Sequence, residues 1–115
     1  MNTPKESDEV VKLVEAWLSG DADGTFSDAV IDAPESAWAA ILEILKGDLS
    51  DDQRALLAAG PLENLLVFHG AEFISRVEHE AETNARLNHL LGGVWRQDME
   101  ELIWERVQRV RKAVW

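Results

Sequence analysis

The stretch VVKLVEAWLSGDADGT, residues 10–25, decides the fold. It ends in Asp21-Ala22-Asp23-Gly24-Thr25, a string that carries a nucleophilic aspartate in phosphate-transferring enzymes. That chemistry needs the first Asp at the end of a buried parallel strand. It also needs the second Asp as acid and base, and a magnesium ion against the phosphate. The residues before Asp21 do not read as a strand. Val10, Leu13, Val14, Trp17 and Leu18 recur at the i, i+3, i+4, i+7, i+8 spacing of an amphipathic helix. Gly20 then supplies a left-handed stop. A calcium loop fails as well. Counted from Asp21, the sixth residue is Phe26 where the sharp turn needs Gly, and the twelfth is Asp32 rather than Glu. Asp21 and Asp23 are therefore expected in a polar turn between helices, with Asp23-Gly24 supplying the turn chemistry.

The rest of the chain repeats the helical reading. Thr3-Pro4-Lys5-Glu6 is a capping box with Pro at the first helical position, so the first helix is expected over about 4–19. A second helix opens near Asp32-Ala33-Pro34-Glu35, with Trp38, Ile41, Leu42 and Leu45 as its stripe and Gly47 as its end. Ser50-Asp51-Asp52-Gln53 caps a short helix that Gly60-Pro61 closes, and the same pair opens PLENLLVFH. Gly70 is expected to stop that helix. AEFISRVEHEAET follows, with Phe73, Ile74, Val77 and Ala81 on one face. Asn84 caps a turn carrying Leu87, Leu90 and Leu91, and Gly92-Gly93 breaks it. The last helix starts near Asp98, on a seam of Met99, Ile103, Val107, Val110 and Val114. The β-branched residues fall at helical spacing rather than in alternation. The expected fold is all-α: a compact bundle of about six to seven short helices, with solenoid-like antiparallel pairing as a variant.

A chain of 115 residues is expected to form one domain, 1–115. There is no cysteine, which excludes a disulfide scaffold, a thiolate zinc site and a thiol nucleophile. The opening MNTPKESDEV is too polar for a signal peptide. No apolar run approaches the ~20 residues that span a bilayer. A cytoplasmic location fits these features. The formal net charge is −11, of which residues 1–50 carry −8, from 11 acids and three bases. Such a surface repels nucleic acid and anionic membranes. It favours a basic protein partner, or else serves only solubility. The acids to test for a partner are Asp21, Asp23, Asp28, Asp32 and Glu35.

Catalytic signals are thin. His69, His79 and His89 stand ten residues apart, and His69-x-x-Glu72 and His79-x-x-Glu82 have only generic metal-ligand spacing. His79 and His89 read as solvent-exposed. None of the six serines lies in a nucleophile elbow, and there is no Gly-rich phosphate loop. No metal, no cofactor and no named reaction is expected. Glu63, at the third helical position after Gly60-Pro61, suits a carboxylate that binds free amides, and His69 suits free carbonyls at a helix end. Together with Glu78, these residues could instead line a pocket. Five Trp and no Tyr is unusual aromatic usage. Trp17 and Trp38 fit core stripes. Trp95, Trp104 and Trp115 either cover the flank of the bundle or act as an interaction anchor.

The strings APESAWAAILEIL, LLAAGPLENLLVFHGAEFISRVEHEA and LGGVWRQDMEELIWERVQ resemble a small bacterial family known only as a domain of unknown function. The resemblance rests on Pro34, Glu35, Trp38, Gly60, Pro61, Leu62, Glu63, His69, Gly70, Val94 and Trp95. It implies a bacterial, soluble, helical protein and supplies no activity. Size and charge then suggest a protein–protein interaction module, similar to an immunity protein or inhibitor of a basic toxin or nuclease. The alternative is an enzyme or small-ligand binder with Glu63 and His69 in a pocket.

Overall fold

In a computed structural model of the chain, the structure describes residues 4–115, with side chains from Asp8 onward. The Thr3 capping box lies outside the described residues. Helices and turns account for the described residues, with no strand among them. None of these helices is long and apolar enough to cross a membrane. The architecture is all-α, and the chain divides into two compact units, Met1–Gly47 and Asp48–Trp115.

The first unit holds α1 (Pro4–Leu18), α2 (Thr25–Asp32) and α3 (Pro34–Leu45). Helix α1 ends as its glycine predicts. Gly20 has φ 100°, and its N–H and that of Asp21 bond the Trp17 and Ala16 carbonyls at 2.9 and 2.8 Å. This is the paired closure of a Schellman stop. Helix α2 was not expected from the sequence, although Phe26, Ala29 and Val30 have helical spacing and are buried. It forms because Asp21 caps it. The Asp21 carboxylate accepts from the Phe26 N–H at 2.7 Å, the Ser27 N–H at 3.1 Å and the Ser27 hydroxyl at 2.8 Å. The string is thus a turn, as read, but a turn that starts a helix. Helix α3 packs on both α1 and α2. It buries Ala37 and Ala40 beside Trp38, Ile41, Ile44 and Leu45, and the small residues allow close approach.

The second unit holds α4 (Asp51–Leu57), α5 (Glu63–Thr83), α6 (Ala85–Leu91) and α7 (Glu101–Val110). Ser50 and Gln53 make the expected reciprocal capping box on α4. Gly60-Pro61 does not separate two helices. The chain passes through it as a π turn, Ala58–Leu62, that joins α4 to α5. Pro61 has no N–H to give, and its ring would strike the carbonyl one α-turn back. A wider turn relieves both problems, and the Glu63 N–H reaches the Ala58 carbonyl, five residues earlier.

Gly70 does not stop α5 either. The helix kinks at His69 (φ −134°, ψ 28°) and resumes. Gly70 serves packing instead. A Cβ there would stand 3.0 Å from Cγ1 of Ile103 on α7, so the glycine lets the two helices meet. The Asn84 side chain caps α6 as expected, accepting from the Leu87 N–H at 3.2 Å. The Ile103–Val107 seam is buried, but α7 ends at Val110 rather than running to Val114. Of the other residues expected on buried faces, Trp38, Ile41, Leu45, Phe73, Ile74, Val77 and Ala81 are buried, while Trp17 and Leu42 are half-buried; Leu62, Leu65 and Leu66 are buried as well.

Candidate functional site

Glu63 opens α5 and is only 5% exposed. Its carboxylate does not cap its own helix, because the π turn already supplies a partner to the Glu63 amide. It reaches a segment 32 residues later and accepts the Trp95 main-chain N–H at 2.7 Å. Burial pushes the Glu63 carboxyl above its usual range, and the Trp95 bond opposes part of that rise.

Arg111 holds the same segment. Its Nη1 donates to the Val94 carbonyl at 3.1 Å and lies 3.5 Å from that of Leu91. The guanidinium sits over the Trp104 ring, 4.9 Å from its centroid. Burial lowers the Arg111 pKa from its usual value.

Both holds act on the Val94–Trp95 peptide, and from it the chain runs into a loop, 94–99. Val94 and Met99 are buried at its base, while Trp95, Arg96, Gln97 and Asp98 are exposed. The Met99 N–H bonds the Arg96 carbonyl at 2.8 Å, and Gln97 adopts φ 45° to close the turn. The result is a loop with a fixed base and an outward Trp95, which is 50% exposed.

The model of the family of unknown function DUF6869 matches residues 6–114. The chain belongs to DUF6869. No curated protein and no solved structure matches it. In this DUF6869 member, the Gly60-Pro61-Leu62-Glu63 string and the Val94-Trp95 string meet in space, because the first supplies the acceptor for the second. Sequence spacing alone could not reveal that, since the partners lie on separate elements.

The other candidate residues of this DUF6869 chain are dispersed. Glu78 accepts two bonds from Arg106, one at 3.0 Å from Nε, and Arg106 also reaches Ser75 Oγ at 3.1 Å. Those bonds lower the Glu78 pKa. His69 stands edge-on to Phe73, with centroids 6.5 Å apart. Glu63, His69 and Glu78 each meet a different neighbour: the Trp95 N–H, the Phe73 ring and the Arg106 guanidinium. Among the described residues no group of three or more His, Asp or Glu side chains is placed to hold a metal ion. In the first unit, Asp21 caps α2, and Asp23 accepts from the Thr25 hydroxyl at 2.7 Å, which lowers its pKa. Asp28 and Asp32 on α2 and Glu35 on α3 are exposed.

The three late tryptophans separate by role. Trp104 is half-buried under Arg111. Trp115 folds back and stacks on His89, with centroids 5.5 Å apart. Trp104 and Trp115 are thus engaged by Arg111 and His89, whereas among the described residues no ring or cation stacks on Trp95. Sequence reasoning missed Arg111 and Asn88, both of which act through main-chain groups of distant segments. Asn88 is 5% exposed, donates to the Ala81 and Val110 carbonyls, and accepts the Lys112 N–H at 2.9 Å.

Proposed function

We propose that this DUF6869 domain is a protein-binding module whose contact element is the 94–99 loop. One observation carries the reading. A buried carboxylate is spent on holding the main chain of a loop whose indole faces outward. Trp and Arg dominate the energetics of protein interfaces, and Trp95-Arg96 presents both. A loop held in one geometry before binding also loses little conformational entropy on binding. The partner is a basic protein. The net charge of −11 favours it, and Met1–Gly47 contributes −7, from ten acids against three bases. A role similar to that of an immunity protein or inhibitor follows from size and charge, as an analogy.

The test is affinity capture with the wild-type chain, Trp95→Ala and Arg96→Glu in parallel, read by quantitative mass spectrometry. A specific partner should be retained by wild type and lost with Trp95→Ala. Its association should slow with added salt, and further with Asp28→Lys plus Asp32→Lys. Capture that is equal with wild type and Trp95→Ala would refute the loop as the contact element.

A further inference from the structure

The segment after α7, residues 111–115, lies across α6 and the glycines that follow it. The Lys112 N–H bonds Asn88 Oδ1 at 2.9 Å, and the Trp115 N–H bonds the Gly92 carbonyl at 2.9 Å. The Trp115 indole N–H donates to the His89 carbonyl at 2.6 Å. A Cβ on Gly92 would stand 2.5 Å from Cδ1 of the ring, and one on Gly93 would stand 2.6 Å from its Cη2. Neither glycine is needed for its own backbone. Gly92 has φ −62° and ψ −22°, which any residue adopts, and Gly93 has no positive φ. What calls for glycine at both positions is an indole lying on them.

The segment nonetheless stays open to solvent. Lys112, Ala113, Val114 and Trp115 are all exposed, Trp115 at 42%. The seam of α7 also continues in sequence to Val114, so a helical continuation competes with the folded-back course. The segment is basic at Arg111 and Lys112, on a chain of net charge −11.

We propose that Gly92-Gly93, with the His89 carbonyl and Asn88, is a seat for the tryptophan of a basic peptide segment, and that residues 112–115 are its built-in occupant. The ligand is a partner chain whose Trp replaces the Trp115 ring and whose main-chain N–H about three residues earlier replaces that of Lys112 on Asn88, its basic character suiting a chain of net charge −11. It takes the place of Trp115 when the strap lifts. This rests on the reading of the domain as protein-binding and supplies the chemistry of the partner. Seat and loop adjoin, since Arg111 and Trp115 hold Leu91, Gly92 and Val94 immediately before Trp95.

The test uses a capped synthetic peptide of residues 109–115 and the amide signals of Gly92 and Gly93 in the 115-residue chain. The peptide should bind the Trp115→Ala variant and shift both signals. It should bind wild type about tenfold or more weakly, because the docked strap leaves the seat open in only a minor state. A peptide with Ala in place of Trp should not bind. Adding Gly92→Ala to Trp115→Ala should abolish binding while leaving the helical signal intact. Unmoved signals at millimolar peptide, or equal binding by the Trp-less peptide, would overturn the proposal. In wild type, the Trp115 amide should exchange with solvent far faster than the Val107 amide. Equal protection would mean that the strap does not lift, and would also overturn it. None of these readouts depends on Trp95, so the seat can fail while the loop reading stands.

Discussion

Removing the Glu63 side chain probes the hold on the loop. Glu63→Ala leaves the Trp95 N–H without its acceptor, in a part-buried site. An orphaned donor costs about 1–3 kcal/mol, and the lost buried methylene adds about 0.8 kcal/mol. The expected loss is about 2–4 kcal/mol, measured by urea unfolding at pH 7 at constant m value. Glu63→Gln is the informative companion. It keeps an acceptor oxygen and removes the cost of burying a charge, so its stability should lie within about 1 kcal/mol of wild type. The pH dependence has a definite sign. Burial raises the Glu63 pKa in the folded state above its usual 4.5. Folding is therefore helped fully below the unfolded value, and the help is lost as pH rises through the folded value. Relative to wild type, Glu63→Gln should gain stability between pH 4 and pH 7. Equal losses for Glu63→Gln and Glu63→Ala would refute the reasoning, because the charge itself would then be the stabilising element. So would a wild type that gains on Glu63→Gln as pH rises.

Three further outcomes are expected. Asp21→Ala should cost about 1–2 kcal/mol in thermal or urea unfolding through loss of the α2 cap, and a loss below about 0.3 kcal/mol would count against it. Gly70→Ala crowds Cγ1 and Cγ2 of Ile103, at 3.0 and 3.2 Å, and should cost up to about 2 kcal/mol after the helical gain of Ala over Gly; Ile103→Ala, which removes both atoms, should couple favourably with it in a double-mutant cycle. Glu78→Gln should cost under about 1 kcal/mol. Because Arg106 lowers the Glu78 pKa, that contribution should be present above the usual 4.5 and fade as pH falls through the folded value.

The periodic elements were legible and the junctions were not. The α1 helix, the Gly20 stop, the Ser50 box and the Asn84 cap are local devices and appear as their residues predict, although of the α1 stripe only Leu13 is buried and Leu18 is exposed. Gly60, Pro61 and Gly70 were read as breaks because glycine and proline usually are. Here the π turn absorbs Pro61, and packing against Ile103 explains Gly70. Helix α2 was hidden by its length of eight residues and by acids that read as loop. Helix α7 stops short of its seam because Asn88 takes the Val110 carbonyl and the Lys112 N–H and turns the chain. Glu63 was picked out for amide binding, and it does bind an amide, but a tertiary one that no helical rule could place. Asp21 was grouped by sequence with the surface acids to test for a partner. Its role in capping α2 makes Asp28 and Asp32 the better probes of surface charge.

Dissociation kinetics of the captured partner from wild type and Trp95→Ala test the central claim most directly. A buried tryptophan anchor contributes at least about 2 kcal/mol, so dissociation from Trp95→Ala should be about 30-fold faster or more. The urea midpoint should stay unchanged, because the Trp95 ring is exposed in the free chain. Equal dissociation rates from the two equally stable proteins would contradict the claim that the Glu63-held loop is the contact element.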